Sequence, residues 1–132
     1  MKARPELTLA DCERIMAAAI AEAKRNQWNV SIAIVDDGGH LLHVSRMDGA
    51  TPANAAISVE KSRTAAMSRM KSHVWQERIK TRPEMLKMPG ILPVQGGVPI
   101  LVEGACLGGV GVSGVQSHED EQIANAGIAA LT

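Results

Sequence analysis

The sequence predicts an α+β fold with a central antiparallel sheet. Three observations predict it. Two apolar, β-branched stretches, residues 30–47 and 98–113, are each broken once by a tight-turn signal, Asp36-Asp37-Gly38-Gly39 in the first and Glu103-Gly104 in the second. Segments with helical spacing of apolar or small residues precede, separate and follow them. The order is helix, hairpin, helix, irregular segment, hairpin, helix, which is not the strand–helix–strand alternation of a nucleotide-binding sheet.

Each element has a local reason. Thr8 with Asp11 has capping-box spacing, Leu7 and Cys12 hold the staple positions, and Leu9, Cys12, Met16, Ala19 and Ala23 form a stripe that ends near Asn26. Val30 to Val35 reads as a strand, and His40 to Met47 as its hairpin partner. Residues 53–70 read as a second helix dominated by small residues, suited to close packing on a sheet. Ser72 to Lys80 fits a short helix, and Pro83 can open another at its first position. Pro89-Gly90 and Pro93 punctuate a connecting loop. Val98 to Val102 and Ala105 to Ser113 close the sheet. Ser117 with Asp120 caps the last helix, whose first turn carries Glu119, Asp120 and Glu121.

The final strand is almost bare on one side. Strict alternation puts Cys106, Gly108, Val110 and Val112 on one face, and Ala105, Leu107, Gly109, Gly111 and Ser113 on the other. Glycine weakens a strand, so this density implies a close neighbour. A small-residue helix, a second subunit or a ligand would each satisfy it.

Composition narrows the function. The chain has 132 residues, enough for one domain, with 14 acidic and 14 basic side chains. A balanced chain with no basic cluster and no aromatic stacking platform is a poor nucleic-acid binder. No run approaches membrane-spanning length, and Met1 to Ile15 has no apolar signal core, so a cytoplasmic protein is expected. Phe and Tyr are absent, leaving Trp28 and Trp75 in a core of aliphatic residues and seven methionines. Cys12 and Cys106 are too few and too far apart for a disulfide framework or a zinc site.

Several residues can carry chemistry. Lys61, on the second helix with Thr64 on its face, can bind a carboxylate or, if desolvated, act as base or nucleophile. A surface lysine, or one paired with Glu60 or Asp48, is the structural alternative. Arg46 and Asp48 flank Met47 at a strand end. They suit a carboxylate clamp with an acid/base partner, or an ion pair with turn capping. Gly97, after Gly96, can offer a backbone N–H to an anion. Gly111 and Ser113 would wall a cleft. Ser113 lacks nucleophile-elbow spacing. Asp120 either caps its helix or serves as acid/base where a cleft opens. His40 and His43, three apart on one strand, cannot chelate a shared metal well, and no cluster has zinc spacing, so no metal is expected.

Taken together, VDDGGHLLHVSRMDGA, the helix carrying EKSRTAA, then GGVPI and GGVGVSG before an acidic helix start resemble the GlcG/HbpS-like proteins over essentially the whole chain. The resemblance implies a profilin-like fold, a central antiparallel sheet flanked by helices. It also implies a homo-oligomer assembled from dimers into larger rings or shells. It admits haem as cofactor, since members include secreted haem-binding redox sensors and a haem-binding domain attached to a cobalamin adenosyltransferase. Others are encoded beside glycolate oxidation or aromatic catabolism. With no apolar signal core in Met1 to Ile15, this chain is expected to differ from the secreted members in not being exported, and it departs from aromatic-lined haem pockets in having no Phe or Tyr. His73, near Trp75, and His43 are the axial-ligand candidates. Three function classes follow: a small-ligand-binding protein for haem or another conjugated organic acid, a cofactor-free enzyme acting on a small carboxylate, and a structural or chaperone-like partner of a catabolic enzyme.

Overall fold

Thr8 starts the first helix as its spacing predicts. Its hydroxyl accepts the Asp11 N–H at 3.1 Å, and the Asp11 carboxylate accepts the Thr8 N–H at 2.9 Å. The computed structural model describes residues 1–131. In it α1 spans Leu9–Arg25, with Cys12, Ile15, Met16, Ala19 and Ala23 buried and Asn26 closing the helix. Strands β1, Ser31–Asp36, and β2, Leu41–Arg46, form the first hairpin. Its turn is held by the Asp36 carboxylate, which accepts the Gly38 and His40 N–H groups at 2.9 Å each, and Gly39 supplies the positive φ of 83°. Then follow α2, Pro52–Ser68, α3, Ser72–Arg78, and a 3₁₀ helix, Pro83–Lys87. Strands β3, Gly97–Val102, and β4, Ala105–Ser113, precede α4, Ser117–Ala129.

The four strands form one antiparallel sheet in the order β2-β1-β4-β3. This is the expected α+β arrangement, a central antiparallel sheet flanked by helices. Helices α1 and α4 pack on one face around Ile32, Ile34, Ile100, Val110 and Val112, all without solvent exposure. Helix α2 covers the other face, over β1, β4 and β3.

The glycine face of β4 is filled by this helix. A methyl group on Gly111 would overlap the Ser58 carbonyl oxygen and the Ser62 nitrogen, and one on Gly97 would overlap the Lys61 carbonyl oxygen. At Gly109 it would stand 2.5 Å from the Ser62 carbonyl oxygen. Of the three occupants the bare strand allows, the observed one is a small-residue helix, laid backbone to backbone on the sheet. Gly97 and Gly111 are therefore packing positions under α2, not walls of an open cleft, and the Gly97 N–H is already bound to the Ser72 hydroxyl at 2.8 Å.

Three local expectations are corrected. Strict alternation fails in β4, because Ile100 pairs with Gly108 and Leu101 with Cys106, leaving Leu107 as an inserted residue. The bulge turns Leu107 into the α1–α4 core and Cys106 toward α2, where its Sγ lies 3.7 Å from the Ala66 carbonyl oxygen. The last helix is capped by Gln116, whose N–H goes to Glu119 at 3.1 Å, so Ser117 is its first residue and not its cap. Strand β2 begins at Leu41, with His40 still in the turn. Pro83 opens a 3₁₀ helix.

Gly111→Ala should destabilise the fold by about 1–3 kcal/mol through overpacking against helix backbone. Gly104→Asn should change stability by less than about 1 kcal/mol, because a residue at φ 81° with nothing within 4 Å of an added Cβ needs only tolerance of the left-handed region. Urea unfolding midpoints compare the two. Equal losses would remove the close-approach explanation.

Candidate functional site

Lys61 lies on the sheet-facing side of α2 and is almost entirely buried, at the floor of a cleft. Its Nζ donates to the Val112 carbonyl oxygen at 3.0 Å and to Asp120 Oδ2 at 3.1 Å, and each of the two charged side chains is only 2% exposed. It is thus neither a surface lysine nor a partner of Glu60 or Asp48; Glu60 faces Arg63 at 3.6 Å. Asp120 turns inward and does not cap α4. Its Oδ1 accepts the Val115 N–H at 3.1 Å. Burial pushes the Asp120 carboxyl above its ordinary value. The Lys61 ammonium and the Val115 and Gly114 N–H groups pull it only part of the way back.

A cleft of about 360 Å³ opens over this pair. Asn54 and Ile57 enter it from α2, Ser113 to Val115 from the end of β4, Ser117 from the start of α4, and Leu92 and Val94 from the connecting loop. Ser113 donates its hydroxyl to Asn54 Oδ1 at 3.1 Å. Thr64 is buried beneath that loop. It donates to the Glu60 carbonyl oxygen at 2.8 Å and accepts the Leu92 N–H at 2.8 Å, so it holds the cleft's rim without lining it.

Arg46 and Asp48 belong to a different cleft, of about 450 Å³, on the α1 side of the sheet. Ile20, Lys24, Asn29, Ser45 and Met47 complete it. The Arg46 Nε is bound to the Ala50 carbonyl oxygen at 3.1 Å, which fixes the guanidinium at the strand end without an Asp48 pair. The two groups of candidates are therefore not brought together. Nor are the histidines. His43 pairs across the hairpin with Ile34, and Ser45 with Ile32, so both share the α1 face of β2. His73 stands on α3, 3.9 Å from Glu77. The Nδ1 atoms of His43 and His73 are buried without a hydrogen-bond partner. Among the described residues, no three of His, Cys, Asp and Glu gather as metal ligands would, and no helix is long and apolar enough to cross a membrane.

Asn54 and Lys24 are additions to the sequence reading. Both had a readable signal. Asn54, Ile57 and Lys61 recur at helical spacing on α2, as do Ile20 and Lys24 on α1.

The ion pair generates a mutational test. Asp120→Leu strands a buried ammonium and should cost about 3–5 kcal/mol, whereas Lys61→Met combined with Asp120→Leu should be near neutral. Lys61→Met alone should cost less than Asp120→Leu, because the remaining carboxyl escapes by taking a proton. Its cost should depend on pH. A raised carboxyl binds its proton more tightly folded than unfolded, so stability falls as pH rises from the ordinary value of 3.8 toward the raised one. Lys61→Met removes the strongest downward pull and should deepen that fall. Urea midpoints across this range check both claims; a flat profile in Lys61→Met would refute the second.

Comparison with known proteins agrees with this architecture. A family model described as haem degrading protein HbpS-like matches residues 7–129. Protein GlcG of Escherichia coli strain K12 is 44% identical over 114 residues, 86% of this chain and 85% of GlcG. The crystal structure of a double mutant of Streptomyces reticuli HbpS superposes with a TM-score of 0.93 at 32% identity, covering 100% of this chain and 91% of that one. The crystal structure of the PduOC:haem complex superposes with a TM-score of 0.88 at 25% identity, covering 96% and 95%. With the family model spanning nearly the whole chain and GlcG aligned along most of its length, this protein belongs to the GlcG/HbpS-like family.

Proposed function

We propose that this chain is a cytoplasmic, homo-oligomeric small-ligand-binding protein whose ligand is haem or another conjugated organic acid. The observation that carries the reading is the full-length likeness to HbpS and to a haem complex of PduOC. The charge of the clefts supports a place for the ligand. Lys61 is neutralised by Asp120, so the cleft above it offers a carboxylate no net attraction. The Arg46 cleft has two cations, Lys24 and Arg46, against the single carboxylate of Asp48. Its apolar contacts are Ile20 and Met47, and its volume lies in the lower part of the small-molecule range.

The two cations there suit the propionates of haem. Lys24 and Arg46 would take the propionates, and Ile20 and the Met47 stem would meet the ring. His43, on the same face of β2 as Ser45 of this cleft, is favoured over His73, which stands away on α3, as the residue facing iron. Bound haem would supply redox chemistry and visible absorption. The oligomer reading is supported by edge strand β2, which exposes Leu41, Leu42 and Val44 at 53%, 40% and 42%.

A cofactor-free enzyme is the second reading. It is favoured by the convergence of Lys61, Asp120 and Ser113 on one cleft, with Asp120 pushed up as an acid/base group requires.

Haem titration should give a Soret band distinct from free haem, weakened in His43→Ala and unchanged in His73→Ala. Lys24→Ala and Arg46→Ala should each weaken binding by about three- to tenfold, the loss of one charged contact. A free-haem spectrum at micromolar protein would eliminate haem. Leu41→Lys with Val44→Lys should lower the mass measured by light scattering. An unchanged mass would place any subunit contact elsewhere.

A further inference from the structure

We propose that the cleft above Lys61 is a second binding site, for a small uncharged hydroxycarbonyl compound. The inference is independent of haem binding, which concerns the opposite face of the sheet. An ammonium has three N–H donors. Lys61 gives one to the Val112 carbonyl oxygen and one to Asp120, and its side chain lines the cleft, so the third donor is available to a ligand oxygen. That donor is charged, nearly sealed from water and held at both other positions. It is therefore pre-aimed and loses little freedom on binding.

The same cleft disfavours an anion. Asp120, 3.1 Å from Nζ, cancels the lysine charge. Two backbone donors just before α4 are also taken. The Val115 N–H is bound to Asp120 and the Gln116 N–H to Glu119, both at 3.1 Å. A carboxylate entering here would be desolvated with no free counter-charge. A ketone or aldehyde oxygen needs only the third Lys61 donor. Asn54 and Ser117 on the walls can meet a neighbouring hydroxyl, and Leu92 and Val94 can cover a methyl group.

Hydroxyacetone and glycolate test this directly. They have the same small skeleton and differ in carrying a methyl ketone or a carboxylate. In ligand-detected NMR titrations hydroxyacetone should bind at least about tenfold more tightly than glycolate, whose carboxylate must shed water with no free counter-charge to meet it. Lys61→Met combined with Asp120→Leu, which keeps the interior neutral, should abolish hydroxyacetone binding. Asn54→Ala, which leaves the ion pair in place, should weaken it by about three- to tenfold. Haem titration of the same variants should be unchanged, which separates failure here from failure of the haem reading. Equal or tighter glycolate binding, no hydroxyacetone binding, or undiminished binding in the double variant would each overturn the proposal.

Discussion

The close approach of α2 to β4 is the constraint on which the rest of this structure depends. Backbone lies on backbone because Gly97, Gly109 and Gly111 present no side chains and α2 presents Ser58, Ser62 and Ala66. Interiors are packed like crystals, so a separation set by glycine cannot be widened locally without opening voids along the whole face. That separation also decides where Lys61 goes. Its carbonyl rests on Gly97, and its side chain runs to the end of the sheet, where it meets the β4 backbone and a carboxylate from α4. Helix α2 and helix α4 cover opposite faces. The buried pair is thus a tie between the two layers, and it sits where the cleft opens.

The fold was legible because its signals are local. The Thr8–Asp11 box, the Asp36–Gly39 turn and the glycine density of β4 each imply their geometry from residues a few positions apart. The departures arose where local signals were ambiguous. Leu107 continues an alternating pattern, and only pairing with β3 reveals it as an inserted residue. Ser117–Asp120 and Gln116–Glu119 are overlapping capping boxes of equal spacing. The second forms because Asp120 is claimed by a lysine 59 residues away, and no spacing rule encodes such a partnership.

The site was half legible for the same reason. Lys61, Asp120 and Ser113 emerge together from a glycine strand and a small-residue helix, and they do line one cleft. Arg46 and Asp48 looked equally suited to join them, yet the sheet order sends β2 to the far edge and their cleft to the α1 side. Two concavities result, one electrically balanced and one with a surplus of positive charge. In the first the one cation is paired with the one carboxylate, and in the second two cations face a single carboxylate.

The aromatic poverty of the chain has an optical consequence. Trp28 packs against the core on the α1 face, while Trp75 is buried on α3 with Arg78 stacked 5.0 Å from its ring centroid. No tyrosine contributes background emission. The molecule therefore has one fluorophore on each side of the sheet. Single Trp→Leu variants would divide its fluorescence into two spatially separate signals, and quenching confined to one of them would reveal which side a chromophoric guest had entered.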